Sequence, residues 1–389
     1  MTADPAEEQE RLILIVAGEA SGDLHGASLV SALRVIDPRL TFIGIGGERL
    51  RKAGVQLVAH SSEMAVVGIT EAFAKIGYLL SVRKRLQEIM ASRKPALLIL
   101  IDYPDFNLSL ARYAKGLGLS VFYYISPQVW AWRRRRVRSI ARTVDRMAVI
   151  LPFEKEIYGE TNLDVRFVGH PLLDSVRRTF TKIEARQAFG LDTEKLTIAI
   201  LPGSRIAEVN KLLPPALEAL KLLRNRLPPF QALLPLADSL DGAFVQRIVG
   251  RHGIAVTVVQ NNTYDVVGAS DAAIVASGTA TLETALVGTP MVIIYKVSPL
   301  SYVLGRLFVR IKHIGLVNII AGKTVAPELI QSHANASEIA ENLFRIVTDD
   351  DVSATMRASF QIVASSLGKP GAARRAAALA HEMINGGGK

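Results

Sequence analysis

The sequence predicts an α/β protein made of two doubly wound, parallel-sheet domains. Three observations carry this. Short β-branched runs alternate with longer helical patterns. The runs are apolar throughout, as strands buried on both faces must be. The pattern also restarts near residue 196, after a charged, turn-rich break. A chain of 389 residues suits two domains of roughly 100–200 residues each.

Strands are expected at 11–17, 41–45, 96–101, 120–125, 146–151 and 165–168, and again at 196–201, 230–235, 254–259, 272–276 and 291–295. The break lies at 169–189, where GHPLLD runs into RRTFTKIEARQ. The domains are therefore expected at 1–170 and 171–351. An Ala-rich tail, 352–389, reads as helix over 352–385 and ends in GGGK.

Composition narrows the class. Apolar residues make up 49% of the chain, which excludes intrinsic disorder. Mean hydropathy is +0.26, yet no apolar run reaches the ~18–20 residues of a spanning helix. The start, MTADPAEEQER, is acidic and lacks an apolar h-region, so no signal peptide is expected and the chain reads as cytoplasmic. There is no cysteine, which excludes disulfides, thiolate metal sites and cysteine nucleophiles. Seven scattered histidines without HExxH make a zinc site unexpected.

Ligands of open α/β sheets bind beyond the carboxyl ends of the strands. Three such ends carry small, hydroxyl-rich turns: GEASGDLHG after Ala17, PGSRIAEV after Leu201 and SGTATLE after Ala276. Each offers backbone N–H groups and a helix N-terminus to an anion. Each could equally be a tight turn with a Ser or Thr cap, but recurrence in both halves favours the anion. Other motifs fail. GIGGER has Arg49 where a dinucleotide fingerprint needs its third glycine, and Val317 replaces the first glycine of a P-loop ending AGKT. No GxSxG occurs, and Asp349–Asp350–Asp351 reads as a cap or solvated turn.

IDYPDFN follows the run 96–101. Asp102 at the strand end could be a general base toward a substrate hydroxyl, and residue type alone leaves that open against a structural role. Asp105 or Asn107 is expected to cap the next helix, Asp105 being the favoured of the two.

The net charge of +10 is localised: residues 75–146 hold 15 Lys/Arg against 4 Asp/Glu, and the remainder 31 against 32. One basic region therefore meets something acidic, either anionic lipid, a phosphorylated substrate or nucleic acid. No RRM, KH or OB signature accompanies it, so nucleic acid is not expected. The segment SPQVWAWRRRRVRSIAR sets Trp130 and Trp132 beside Arg133 and Arg134, a pairing suited to lipid headgroups, with a solvated helix face as the alternative. Upstream, Ile69, Phe73, Ile76, Leu79 and Leu80 recur at helical spacing ahead of Arg83, Lys84 and Arg85. A core helix is the ordinary reading; a membrane-interface helix or acyl-chain groove is the other.

In order, and over nearly the whole chain, VAGEASGD (16–23), MAVVGI (64–69), IDYPDFN (101–107), SPQVWAWR (126–133), LPFEK (151–155), VGHPL (168–172), LPGSR with AEV (201–209) and SGTATLE (277–283) resemble the lipid-A-disaccharide synthases. These are glycosyltransferases of the GT-B fold, two Rossmann-like domains facing a central cleft. SPQVWAWR and PDFN are the specific matches. The resemblance implies an inverting transfer from UDP-2,3-diacylglucosamine to the 6-hydroxyl of 2,3-diacylglucosamine 1-phosphate (lipid X). The product is a β-1,6-linked disaccharide 1-phosphate, released with UDP and without a metal or redox cofactor. It implies Asp102 as base and Arg205 with Ser277, Gly278 and Thr279 at the departing diphosphate. It further places Glu283 at the donor's ribose and Asn318 near the donor, although Val317 replaces the family's usual Pro. Ser21, Gly22, Asp23 and Asp105 are expected to contact the acceptor or border the cleft. His170 is either structural or cleft-lining. Two diacylated substrates favour a peripheral enzyme at the cytoplasmic face of the inner membrane, docking on an anionic surface through the apolar helix, the tryptophans and the arginine run. The tail is expected to return to the first domain, and a homodimer is compatible with the resemblance. A UDP-sugar 2-epimerase of the same architecture is the alternative.

Overall fold

The computed structural model describes residues 11–64, 69–129, 136–298 and 312–386. The chain divides into one unit of Met1–Pro171 with Leu367–Lys389 and a second of Leu172–Ser366. The first contains β1 (Arg11–Ala17), β2 (Leu40–Gly46), β3 (Gln56–His60), β4 (Leu97–Ile101), β5 (Val121–Tyr124), β6 (Arg146–Val149) and β7 (Asp164–Phe167). They form one parallel sheet in the order β3-β2-β1-β4-β5-β6-β7. Alternate residues feed two cores. Leu98, Leu100, Val121 and Tyr123 bury on one face, and Leu97, Ile99, Phe122 and Tyr124 on the other. This double burial is why the strands read as unbroken apolar runs.

The second unit repeats the plan with β8 (Thr197–Leu201), β9 (Gln231–Leu236), β10 (Thr257–Gln260), β11 (Ala272–Ala276), β12 (Met291–Tyr295) and β13 (Glu328–Ile330). Their order is β10-β9-β8-β11-β12-β13, again parallel. In each sheet the strand order reverses between the first strand and its later neighbour, β1 with β4 and β8 with β11. Ligands of such sheets bind beyond the carboxyl ends at these switch points. The sequence reading missed β3 and β13. Both are edge strands, half-exposed and short, so they lack the continuous apolar signal.

The tail departs from expectation. It forms two helices, Asp350–Ser366 in the second unit and Ala372–Ile384 in the first. The break is LGKPG: Gly368 and Gly371 adopt φ of 87° and 98°, and Pro370 lies between them. Arg375 fastens the return, donating to the carbonyls of Val168 (2.8 Å) and Pro370 (2.9 Å). Ala376, Ala377, Ala380 and Met383 then join the core of the first sheet with Leu29 and Leu33. The oxygen Oδ1 of Asp349 accepts from the N–H groups of Asp351 and Val352, which makes that acid a helix cap.

Candidate active site

The switch point of the second sheet holds a cavity of about 370 Å³. Its walls are Pro202–Arg205 after β8, Ser277–Thr279 after β11, and Glu283. Gly203 has φ 108°, and a Cβ there would lie 2.4 Å from Glu208 Oε2, so the turn requires glycine. Gly278, φ 142°, is the uncapped N-cap of the helix Thr279–Val287. Its positive φ is open to glycine and little else. That helix end presents partial positive charge without a side-chain carboxylate on it. The other helix end is occupied: Glu208 accepts from the N–H groups of Ser204 (3.2 Å) and Arg205 (3.4 Å) and pairs with the Arg205 guanidinium at 3.2 Å. Arg205 is 81% exposed, so this pair is weak and readily exchanged.

A second cavity, about 550 Å³, adjoins the first through Thr263 and Glu283 and is lined by Arg177, Asn261, Asn262 and Tyr264. The Tyr264 hydroxyl donates to Glu283 Oε1 at 2.9 Å. Burial raises the Glu283 carboxyl, and this hydrogen bond holds it down. Arg205, Ser277, Gly278, Thr279 and Glu283 are thus brought together. Asn318 is not. It is fully buried, and its amide is consumed locally, donating to Ala326 O and Glu328 Oε1 and accepting from the N–H groups of Val325 and Ala326. Glu328 in turn accepts from the Ile314 and Gly315 N–H groups, and Ser277 Oγ donates to Ile314 O. Asn318 therefore organises the loop behind Ser277.

In the first unit, Glu19 follows β1 and Asp102 follows β4, so both acids stand at that sheet's switch point. Burial first, and the Glu19 charge second, push the Asp102 carboxyl up to about 6. Asp102 and Tyr103 both adopt left-handed φ of 47°, a cost that clusters at functional sites. The strained turn is clamped: Tyr123 Oη (2.6 Å) and Asn107 Nδ2 (2.7 Å) donate to the Asp102 carbonyl. Gly18 makes room for the turn, since a Cβ there would meet the Tyr103 ring at 2.4 Å. The expected caps are absent. Tyr103 is the N-cap of Pro104–Gly116, Asn107 reaches back to the strand end, and Asp105 is exposed and paired with Arg136 at 2.5 Å.

GEASGD behaves differently from expectation. Asp23 is buried, and its carboxylate accepts from the N–H groups of Gly47 (2.6 Å), Leu50 (3.0 Å) and Arg49 (3.1 Å). It caps the short helix Glu48–Lys52 in GIGGER, leaving little capacity for a substrate. Gly22 is buried against Ala17, and Ser21 is exposed. His170 is buried, its backbone N–H donates to Leu367 O, and its imidazole is lowered to about 4 by burial and by His25. Burial thus keeps the ring neutral at physiological pH.

The helix Ile69–Arg93 brings Ile76, Leu79 and Leu80 into a groove of about 520 Å³ with Tyr103 and Asp105. The side chains of Ile69 and Phe73 lie outside the described residues, as do Trp130, Trp132, Arg133 and Arg134. No helix among the described residues is long and apolar enough to cross a membrane. Sequence reasoning missed Glu19, Tyr264, Glu208 and Glu328. Glu19 and Glu208 stood inside quoted motifs; Tyr264 and Glu328 act through contacts distant in sequence that no local pattern announces.

A family model described as lipid-A-disaccharide synthetase matches residues 13–383. The lipid-A-disaccharide synthase of Syntrophus aciditrophicus is 53% identical over 375 residues, covering 96% of this chain and 98% of that protein. That of Geobacter sulfurreducens is 50% identical over 378 residues, covering 97% and 98%. Among solved structures, UDP-GlcNAc 2-epimerase from Neisseria meningitidis bound to UDP-GlcNAc superposes with TM-score 0.61 at 11% identity, covering 96% of this chain and 99% of that one. MurG of Acinetobacter baumannii gives 0.56 at 14%, covering 96% and 100%. At such identities these two report the fold.

Proposed function

The chain belongs to the lipid-A-disaccharide synthase family, GT-B glycosyltransferases of lipid A synthesis, and we propose that it joins UDP-2,3-diacylglucosamine to lipid X with Asp102 as general base. The observation that carries the base assignment is a half-buried carboxyl at a switch point, raised to about 6 and therefore ionised at neutral pH. The carboxylate takes the proton of the acceptor's 6-hydroxyl as O6 attacks the donor's anomeric carbon. The bond from that carbon to the diphosphate breaks, and UDP leaves with the electron pair. Attack opposite an α-linked leaving group gives the β product in one displacement. A base so placed contributes roughly 10²–10⁴-fold.

The donor's diphosphate belongs in the second unit's cavity, on the open helix end at Gly278–Thr279 and on Arg205, which exchanges Glu208 for phosphate. Glu283 takes the ribose hydroxyls. This reading needs no metal, so chelator should leave the rate intact. The epimerase alternative loses ground because the structures bearing that name share the fold at 11–12% identity, against 53% for a synthase.

The basic, apolar region of the first unit supports peripheral docking at the cytoplasmic face of the inner membrane. Each basic residue near an anionic surface contributes about 1 kcal/mol. Vesicles of anionic lipid should co-sediment the protein at low salt and release it at high salt. Retention indifferent both to salt and to Arg133→Ala/Arg134→Ala would remove the docking reading.

The deciding assay is UDP release with and without lipid X, for wild type and Asp102→Ala. Acceptor-dependent release that collapses in the variant supports reaction and base together. Release that survives in the variant discards Asp102 as base. No release from folded wild type discards the reaction.

A further inference from the structure

The first unit's groove of about 520 Å³ has walls of two kinds. One is apolar: Ile76 and Leu80 remain 45% and 47% exposed, and the Tyr103 and Phe106 rings pack 5.6 Å apart. The other is cationic. Arg83 lines the groove, its Nε is buried without a hydrogen-bond partner, and no ion pair holds its guanidinium among the described residues. The two acids of the groove do not answer it: Asp105 is paired with Arg136, and Glu19 stands at the Asp102 switch point. A buried donor left unsatisfied costs free energy unless a ligand completes it. Apolar walls beside an unpaired guanidinium suit an amphiphile with an anionic head, and a guanidinium fork matches phosphate geometry.

We propose that Arg83 holds the phosphate of the acceptor, with Ile76, Leu79 and Leu80 against its acyl chains. This rests on the transferase reading with Asp102 as base. The groove is lined by Tyr103, the residue after Asp102. The proposal puts the acceptor's 6-hydroxyl at Asp102 and its 1-phosphate, on the other side of the pyranose ring, at Arg83. Arg83 thereby selects a phosphorylated acceptor over the free sugar.

The test compares kcat/KM for lipid X and for the same diacyl sugar lacking its 1-phosphate, in neutral detergent micelles, for wild type, Arg83→Met and Arg83→Lys. Wild type should prefer the phosphorylated acceptor by on the order of 10- to 100-fold. Arg83→Met should lose that preference through the acceptor's KM with the donor's KM unchanged, and Arg83→Lys should keep part of it. A folded Arg83→Met that still discriminates, or a wild type that turns over both acceptors equally, overturns the proposal. So does loss of anionic-vesicle binding with discrimination intact, which would assign Arg83 to the bilayer. Should Arg83→Met fail to fold, Arg83→Lys alone decides, because undiminished preference and unchanged acceptor KM overturn it. Absence of any transfer by wild type indicts the transferase reading instead.

Discussion

Tyr264 donates a 2.9 Å hydrogen bond to Oε1 of Glu283 at the point where the second unit's two cavities meet. The bond favours the ionised carboxylate against burial, which opposes it. Removing the hydroxyl in Tyr264→Phe should raise the Glu283 carboxyl. UDP binding would then weaken as pH falls, starting from a higher pH than in wild type. Titration calorimetry from pH 5 to 8 should show about tenfold weaker UDP binding at the acidic end. Glu283→Gln should flatten the dependence. Identical profiles for wild type and both variants would remove Glu283 from the nucleotide site.

Asp102 sets an acidic limb. With the carboxyl at about 6, kcat/KM should fall about tenfold per pH unit below that value. The Glu19 charge contributes to the upward shift. Glu19→Gln should therefore move the limb to lower pH while leaving the plateau intact. A limb that stays in place under this substitution would place the titrating group elsewhere.

The same carboxyl carries a stability cost. Its folded value, about 6, lies above the 3.8 of an ordinary aspartate. The folded state thus binds more protons between these values, and stability falls as pH rises through that window. At pH 7 the penalty is fully present. Asp102→Asn should abolish transfer yet stabilise the protein by roughly 1–2 kcal/mol at pH 7, with no gain near pH 3. Thermal melts at the two pH values check this, and a destabilised variant at pH 7 would contradict it.

Asp23 should behave in the opposite sense. Its three backbone hydrogen bonds fasten the turn Gly47–Leu50. Asp23→Ala leaves those N–H groups unanswered in a buried place, at a cost of about 2–4 kcal/mol. Denaturant midpoints should drop accordingly, while the acceptor and donor KM of the folded fraction stay near wild type. A large KM change without lost stability would return Asp23 to the substrate.

The paired sheets were legible because strands buried on both faces advertise themselves as apolar runs, as Leu97–Ile101 does. Edge strands such as Glu328–Ile330 need not be apolar and went unseen. Asp102 and the loops at Arg205 and Gly278 were legible because strand ends are where such sheets place ligands. The roles of Asp23 and Asn318 were not. Both carry ligand-like chemistry, and their use in capping and loop closure depends on partners such as Gly47 and Val325, whose positions only the folded chain fixes. The helical tail was visible as helix, but its division turned on Gly368 and Gly371, two glycines among 29.

The return of Ala372–Ile384 to the first sheet's core has a consequence for biosynthesis. The second unit is one uninterrupted stretch, Leu172–Ser366, whereas the first is assembled from both ends of the chain. During translation the first unit leaves the ribosome earliest and is completed last. Until the final helix emerges, Leu29 and Leu33 lack the cover of Ala376 and Ala380. The nascent first unit therefore carries an open apolar face throughout synthesis of the second, the interval in which a chaperone has most to hold.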